Sequence, residues 1–340
     1  MNIANNAIPR VALYLQDTFD LRQTIDHVQY AESRGFEAIW QADSRFARDA
    51  FIPLAAYAAS TKRIKLGVGV VNPWTRHPAQ IAAALITLDE LAPDRIIAGV
   101  GIWDEQLAFN AGIGRARPLL ALRETVGVVR DLLAMQRVTF HGTFVNVTDI
   151  ALEPRRRQEA RAIPLYIGAV GLKTLALAGE IADGVLLNQF LSPAYNGQAI
   201  EALDRGTRTA GRQINTIDYA QVIVTSVDKD RGKALRLARR MVAHNIIQQP
   251  ELMQSNGIPA EVIAEVGHIM GGSTSAPTDK QLDQAMVVIS DEAVQLITAS
   301  GTPDEVRSKV GEYVLSGCRC PVLYPLGNDV HLLCDTFARL

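Results

Sequence analysis

Residues 65–104 constrain the fold more than any other stretch of this chain. They read Lys65-Leu-Gly-Val-Gly-Val-Val-Asn-Pro-Trp74, then Thr75-Arg76-His77-Pro78, then a run rich in alanine and leucine, then Arg95-Ile-Ile-Ala-Gly-Val-Gly-Ile-Trp-Asp104. Two apolar runs rich in β-branched residues, joined through a helix of about four turns, make a parallel strand–helix–strand unit. Both strands are apolar on both faces, so the sheet that holds them is covered on both sides. Gly69, Asn72 and Asp104 gather where these strands end. In parallel α/β proteins that edge of the sheet binds ligands.

The same rhythm recurs along the chain. Apolar strands are predicted at 10–15, 38–43, 65–71, 95–102, 164–169, 184–188, 221–227 and 321–325, and each is trailed by a helical pattern. Eight such repeats predict a (β/α)8 TIM barrel, a single domain over 1–340. A doubly wound open sheet is the rival, but it normally stops at six or seven strands and carries its phosphate loop after the first. Two interruptions are expected. One is a β-hairpin near 137–162 turned at His141-Gly142; the other is an excursion near 250–291, whose Gly271-Gly-Ser-Thr-Ser-Ala-Pro277 suits a lid. A helix start follows at Thr302-Pro303-Asp304-Glu305, with a capping threonine, a first-turn proline and two acids.

Composition narrows the function classes. The chain is 48% hydrophobic and 21% charged with a net charge of -2, ordinary for a globular enzyme and without the basic field that recruits nucleic acid or acidic membranes. No apolar run reaches membrane-spanning length, and the amino terminus lacks a signal pattern. Cys318, Cys320 and Cys334 are an odd, late cluster, a poor disulfide framework that fits a reducing cytoplasm. No histidine or carboxylate cluster completes a metal site around them. The histidines read as structural, with His77 at a helix start and none paired at metal-ligand spacing. Arg155-Arg156-Arg157 reads as a solvated loop.

Several residues have the chemistry of a site. Gly168-Ala169-Val170-Gly171-Leu172 joins a strand to its helix; its glycines allow close backbone approach and the helix amides favour a phosphate, although strand-to-helix turns also use glycine for shape alone. A glycine at position 69 signals a bulge or close approach. Asn72 makes either an Asn-Pro turn or a polar contact to a ligand. Asp43 and Asp104 end strands and precede helices, so each is either a cap or a carboxylate at the barrel mouth. Tyr14 lies near the end of the first strand.

The run Gly-Val-Gly-Val-Val-Asn-Pro-Trp-Thr-Arg-His-Pro, followed by Thr87-Leu-Asp-Glu-Leu and Gly99-Val-Gly, resembles the bacterial-luciferase-like superfamily of flavin and deazaflavin oxidoreductases. The likeness continues through Ala42-Asp43, Arg48-Asp49, Pro164 to Lys173, Ala178 to Leu186 and Ser226 to Asp230. Within the superfamily the chain is most similar to the branch using the deazaflavin coenzyme F420, typified by methylenetetrahydromethanopterin reductase. That resemblance implies hydride transfer between the deazaflavin and a small organic substrate. It also implies a cis peptide at Gly69-Val70 supporting the ring, a contact from Asn72, main-chain amides of Gly168, Ala169, Val170, Gly171 and Leu172 on the coenzyme phosphate, and Asp43 and Asp104 bordering the ring. The sequence departs from the branch at Ser44, where the reductases have histidine, at Trp103, where they have glycine, and at Tyr14, where they carry an acid. Tyr14, Asp43 and Asp104 are the candidate catalytic groups, and Trp103 is a candidate lining residue. Two alternatives stay open: an FMN-dependent monooxygenase on the same barrel, and a cofactor-free partner subunit in which Trp103 fills the ring site. The family's habit implies a homodimer.

Overall fold

A computed structural model describes residues 8, 10–43, 45–154, 157–271, 277–327 and 329–338. Ser44, Arg155 and Arg156, and most of the 271–277 stretch singled out above, lie outside the described residues. In chain order the strands are β1 (Ala12–Leu15), β2 (Ala38–Gln41), β3 (Lys65–Val68), β4 (Ile96–Gly101), β5 (Val138–His141), β6 (Asn146–Ile150), β7 (Leu165–Ala169), β8 (Gly184–Leu187), β9 (Asp218–Val227), β10 (Ala299–Gly301) and β11 (Cys320–Pro325). Strands β5 and β6 pair antiparallel as the expected hairpin. The others share one sheet in the order β10-β9-β11-β1-β2-β3-β4-β7-β8, and β9 also pairs with β8. The fold is therefore a (β/α)8 barrel, with β10 an additional short strand on β9. No sequence signal marks β10, because three residues are too few for periodicity to show.

The chain divides into two compact units. The first comprises residues 14–187 and 198–220. Its strands are buried almost without interruption, as apolar runs covered on both faces must be. Helix α1 (Leu21–Ser33) starts at Asp20, whose carboxylate accepts from the amides of Arg22 and Gln23. Helix α2 (Phe51–Ser60) is predominantly apolar. Helix α3 (Pro78–Leu91) starts at His77, whose Nδ1 accepts from the Ala79 amide, so this histidine is structural. Helices α4 (Glu105–Asn110), α5 (Pro118–Leu133), α6 (Leu172–Ile181) and α7 (Tyr195–Thr209) follow, α7 running on from the other unit.

The hairpin departs from its expected turn. His141 still pairs with Asn146, so the chain reverses through 142–145 rather than at His141-Gly142. The reason lies on α5. Glu124, only 7% exposed, accepts hydrogen bonds from the amides of Thr143, Phe144 and Val145 at 2.9, 2.7 and 2.8 Å. Burial pushes its pKa up, but these three amides outweigh burial and hold the carboxyl below its ordinary value. Glu124→Ala is expected to cost about 2–4 kcal/mol in urea denaturation, because three amides lose a charged acceptor. The carboxyl has a depressed folded pKa, so its contribution is present above the unfolded carboxylate pKa and is lost as pH falls through the folded value. The gap between wild type and variant is accordingly expected to narrow on acidification below about pH 4.

The second unit comprises residues 1–13, 188–197 and 221–340. Strand β9 carries β10 in parallel register, Ala299 opposite Thr225. Helix α8 (Arg231–Gln248) is the support for α9 (Pro250–Ser255), α10 (Ala260–Ile269), α11 (Asp279–Val288) and α12 (Asp291–Ile297), all of which pack against it. The described part of the 250–291 excursion is thus a helical layer. Arg231 bridges Asp291 and Glu305, and Arg240 reaches Asp279. Helix α13 (Pro303–Leu315) opens with the expected Thr302/Glu305 capping box, and α14 (Val330–Thr336) follows the last strand.

Candidate active site

The site begins where β3 breaks. The Gly69-Val70 peptide is cis, as the resemblance implies, and the ladder resumes at Val71, which bridges Val100 on β4. The amide of Gly69 donates to Gln41 O at 2.8 Å, Val71 N to Gly99 O at 3.0 Å, and Gly101 N to Val71 O at 2.8 Å. The bulge is therefore held from both neighbouring strands. Its Val70 side chain lies over three glycines: a Cβ on Gly101, Gly99 or Gly168 would come within 2.4, 2.9 or 3.0 Å of it. Those glycines, spread over β4 and β7, are needed because the valine occupies their side-chain space. Tyr14 Oη donates to Gly69 O at 2.8 Å. This bond ties Tyr14, one of the candidate catalytic groups, to the bulge.

Just past the bulge in the chain, Asn72 lines a cavity of about 360 Å³ together with Asp43, Asp49, Arg48, Arg76, Phe46 and Trp103. Asn72 is buried, and its Oδ1 accepts from the amides of Trp74 and Thr75, both at 3.0 Å. It makes the Asn-Pro turn and lines the cavity at once. Asp43 accepts from Ala50 N at 3.1 Å and lies 3.5 Å from the Arg76 guanidinium, which also pairs with Asp49. The two carboxyls diverge. For Asp43, burial lifts the pKa above its ordinary value, and Arg76 and the Ala50 amide recover only part of the rise. Burial also acts on Asp49, but the amides of Ile52 and Phe51 and the Arg76 guanidinium hold its pKa below the ordinary value. Two neighbouring carboxyls with pKa values pushed apart are the arrangement that lets one carry a proton while the other stays ionised.

The rim is aromatic. Phe46 is 69% exposed and meets Trp103 edge-on, ring centroids 5.4 Å apart at 89°. Arg45 and Phe46 both have positive φ, 41° and 65°, a backbone region that non-glycine residues rarely adopt and that the fold must impose. Trp103 is held by Arg115, whose Nε donates to its carbonyl at 2.8 Å. The indole lines the cavity and does not fill it.

At the end of β7, Gly171 is the N-cap of α6 and has no side chain to cap the first turn. A Cβ there would meet nothing within 4 Å. A helix start that is open and has no side-chain cap is of the kind that can accept a phosphate.

The luciferase-like monooxygenase profile matches residues 2–320. The chain belongs to this family. Among its relatives, the 5,10-methylenetetrahydromethanopterin reductase of Methanolobus tindarius is 32% identical over 288 residues, 84% of this chain and 85% of that protein. The enzyme of the same name from Archaeoglobus fulgidus is 32% identical over 307 residues, 89% of this chain and 90% of the other. The solved structure of the coenzyme F420-dependent tetrahydromethanopterin reductase of Methanopyrus kandleri superposes with a TM-score of 0.85 at 26% identity, covering 96% of both chains.

Within this luciferase-like barrel the predicted residues separate. The bulge brings Tyr14, Gly69, Val70 and Gly168 together, and the cavity unites Asp43, Asn72 and Trp103. Ala169, Val170, Gly171 and Leu172 follow Gly168 into the start of α6. Asp104 stands apart: it is exposed, caps α4 through the Leu107 amide at 2.7 Å, and does not line the cavity. Sequence reasoning missed Arg76, Arg48, Asp49 and Phe46 as site residues. The first three were visible only as the Thr75-Arg76-His77-Pro78 and Arg48-Asp49 segments of the family likeness. Phe46 had no signal, because its position depends on an unusual backbone turn.

Proposed function

We propose that this chain is an F420-dependent oxidoreductase acting on a small organic substrate. The observation that carries the reading is the Val70 bulge in its cradle of glycines, a shaped surface followed closely in the chain by Asn72, which lines a cavity that holds a raised-pKa carboxyl. The F420-dependent relatives, matched over most of their length, support it. The residues present fit the coenzyme: the bulge offers a backing for the flat ring, and the open, uncapped start of α6 offers amides for its phosphate. When bound, the deazaflavin supplies a two-electron hydride donor or acceptor at ring carbon C5.

In this reading Gly69 and Val70 back the ring, Tyr14 positions them through Gly69 O, and Asn72 and Trp103 line the ring's cavity. Amides at Gly168 to Leu172 hold the phosphate. Asp43 holds or accepts the substrate proton at its carboxyl oxygen, and Arg76 orients it. Asp104 acts as a helix cap. The proposal extends to a homodimer and to a reducing cytoplasm, the latter supported by three buried cysteines that form no disulfide; among the described residues no helix is long and apolar enough to cross a membrane. Light scattering of the purified protein checks the assembly.

The test is a fluorescence titration with F420 and, separately, FMN. Saturable binding of F420 alone supports the reading. Binding of FMN alone moves the assignment to a flavin monooxygenase, the reading the family's description favours, and binding of neither removes the enzyme assignment. A variant sharpens the test. In Gly171→Asp the new carboxylate can cap α6, so the melting temperature is expected to hold or rise slightly, while F420 affinity falls about tenfold or more as the carboxylate competes for the same amides. Unchanged affinity would remove the phosphate from this cradle.

A further inference from the structure

Of the three arginines that line the cavity, one has no carboxylate partner among the described residues. Arg76 is paired with both Asp43 and Asp49. Arg45, at the rim, is paired with Asp17 at 3.3 Å. Arg48 makes no ion pair among the described residues. Its guanidinium is instead fixed by two backbone carbonyls, Gln16 O at 3.1 Å and Phe19 O at 2.7 Å. A guanidinium has five N–H donors, so three remain after these two bonds, on a half-buried side chain that lines the cavity. Holding a cation rigidly against backbone without a carboxylate leaves its charge available to a ligand. The Phe46 and Trp103 rings, which line the same cavity, supply flat apolar surface.

From this juxtaposition we infer that the site takes an aromatic or conjugated carboxylate, whose anionic group pairs with Arg48 while its planar body lies against Phe46 and Trp103. The inference names the substrate class of the cavity described above and rests on the reading of that cavity as the substrate side of a coenzyme site. It also gives the strained Arg45-Phe46 turn a task, since that turn sets the exposed Phe46 ring against Trp103.

Calorimetric titration of the full chain with benzoate and with its neutral analogue benzamide tests it, each with and without saturating F420. Wild type is expected to bind benzoate about tenfold or more tightly than benzamide, the discrimination of one charge-assisted pair. F420 is expected to leave that preference intact. Arg48→Gln is expected to equalise the two ligands, and Arg48→Lys to keep part of the preference. The melting temperature of each variant is measured alongside, and the wild-type comparison stands on its own if a variant does not fold. Equal binding of the two ligands, or no benzoate binding to a protein that binds F420, overturns the inference. Displacement of benzoate by F420 also overturns it, because Arg48 then belongs to the coenzyme. Preference for benzoate in a protein that binds no F420 keeps the carboxylate site and rejects only the coenzyme reading, so the two failures are distinguishable.

Discussion

Alanine at Gly99 is expected to cost the fold about 3 kcal/mol or more, whereas alanine at Gly127 is expected to stabilise it by about 0.8–1 kcal/mol. The substitution is the same and the sign differs because of what each Cβ would meet. At Gly99 on β4 it would lie 2.0 Å from the Val68 carbonyl oxygen and 2.9 Å from Val70 Cγ1. The first is backbone of the neighbouring strand and cannot move without opening the β3–β4 ladder. Gly127 is an exposed position in the interior of α5 with nothing within 4 Å, so alanine there removes only the entropy penalty of glycine in a helix. Urea denaturation of both variants checks the pair. Because Gly99→Ala also displaces Val70, F420 affinity is expected to fall with stability, while Gly127→Ala leaves affinity unchanged. A Gly99→Ala protein of wild-type stability would mean that the glycine cradle is not crowded as described.

Asp43→Asn is expected to lower turnover by about 10²–10⁴-fold, the usual contribution of a positioned proton-transfer group, with little effect on F420 binding. Stability is expected to respond differently. A carboxyl whose folded pKa is raised binds its proton better in the folded state, so the stability it contributes is full at low pH and is lost as pH rises through the folded pKa. Above that pKa the ionised carboxylate disfavours the fold, and there the amide is expected to leave the melting temperature level or slightly raised. Arg76→Gln removes the cation that restrains this carboxyl, so the pKa of Asp43 is expected to rise further and the limb of the pH–rate profile that it sets to move to higher pH. Rates at saturating coenzyme across pH 4–9 read both effects. A fall in activity matched by an equal loss of stability in Asp43→Asn would make the aspartate structural.

The barrel was legible from the chain because its signal is repetitive and local. Eight apolar runs of strand length, each followed by a helical period, leave few ways to bury themselves, and the registers at β3–β4 and β4–β7 follow that pattern. Helix starts were legible for the same reason: Thr302 with Glu305 and His77 with Pro78 act through neighbours three residues away or fewer. The hairpin turn was displaced from 141–142 because Glu124, far away in sequence, binds its amides.

Positions 43, 72 and 103 could be named as site candidates from the sequence, but their states could not. Asn72 is turn and lining together because its carbonyl oxygen is spent on two local amides while the residue still faces the cavity. Asp104, equivalent to Asp43 by pattern, is a cap because the chain turns straight into α4. The unlike pKa values of Asp43 and Asp49, the uncompensated charge of Arg48 and the meeting of Phe46 with Trp103 all depend on which distant groups converge. By itself the sequence determined the periodicities, and with them the barrel, its binding edge and its local caps. Tertiary structure alone decided charge balance, proton affinity and available space at that edge, because desolvation, electrostatics and steric exclusion depend on distance in space and not on separation along the chain.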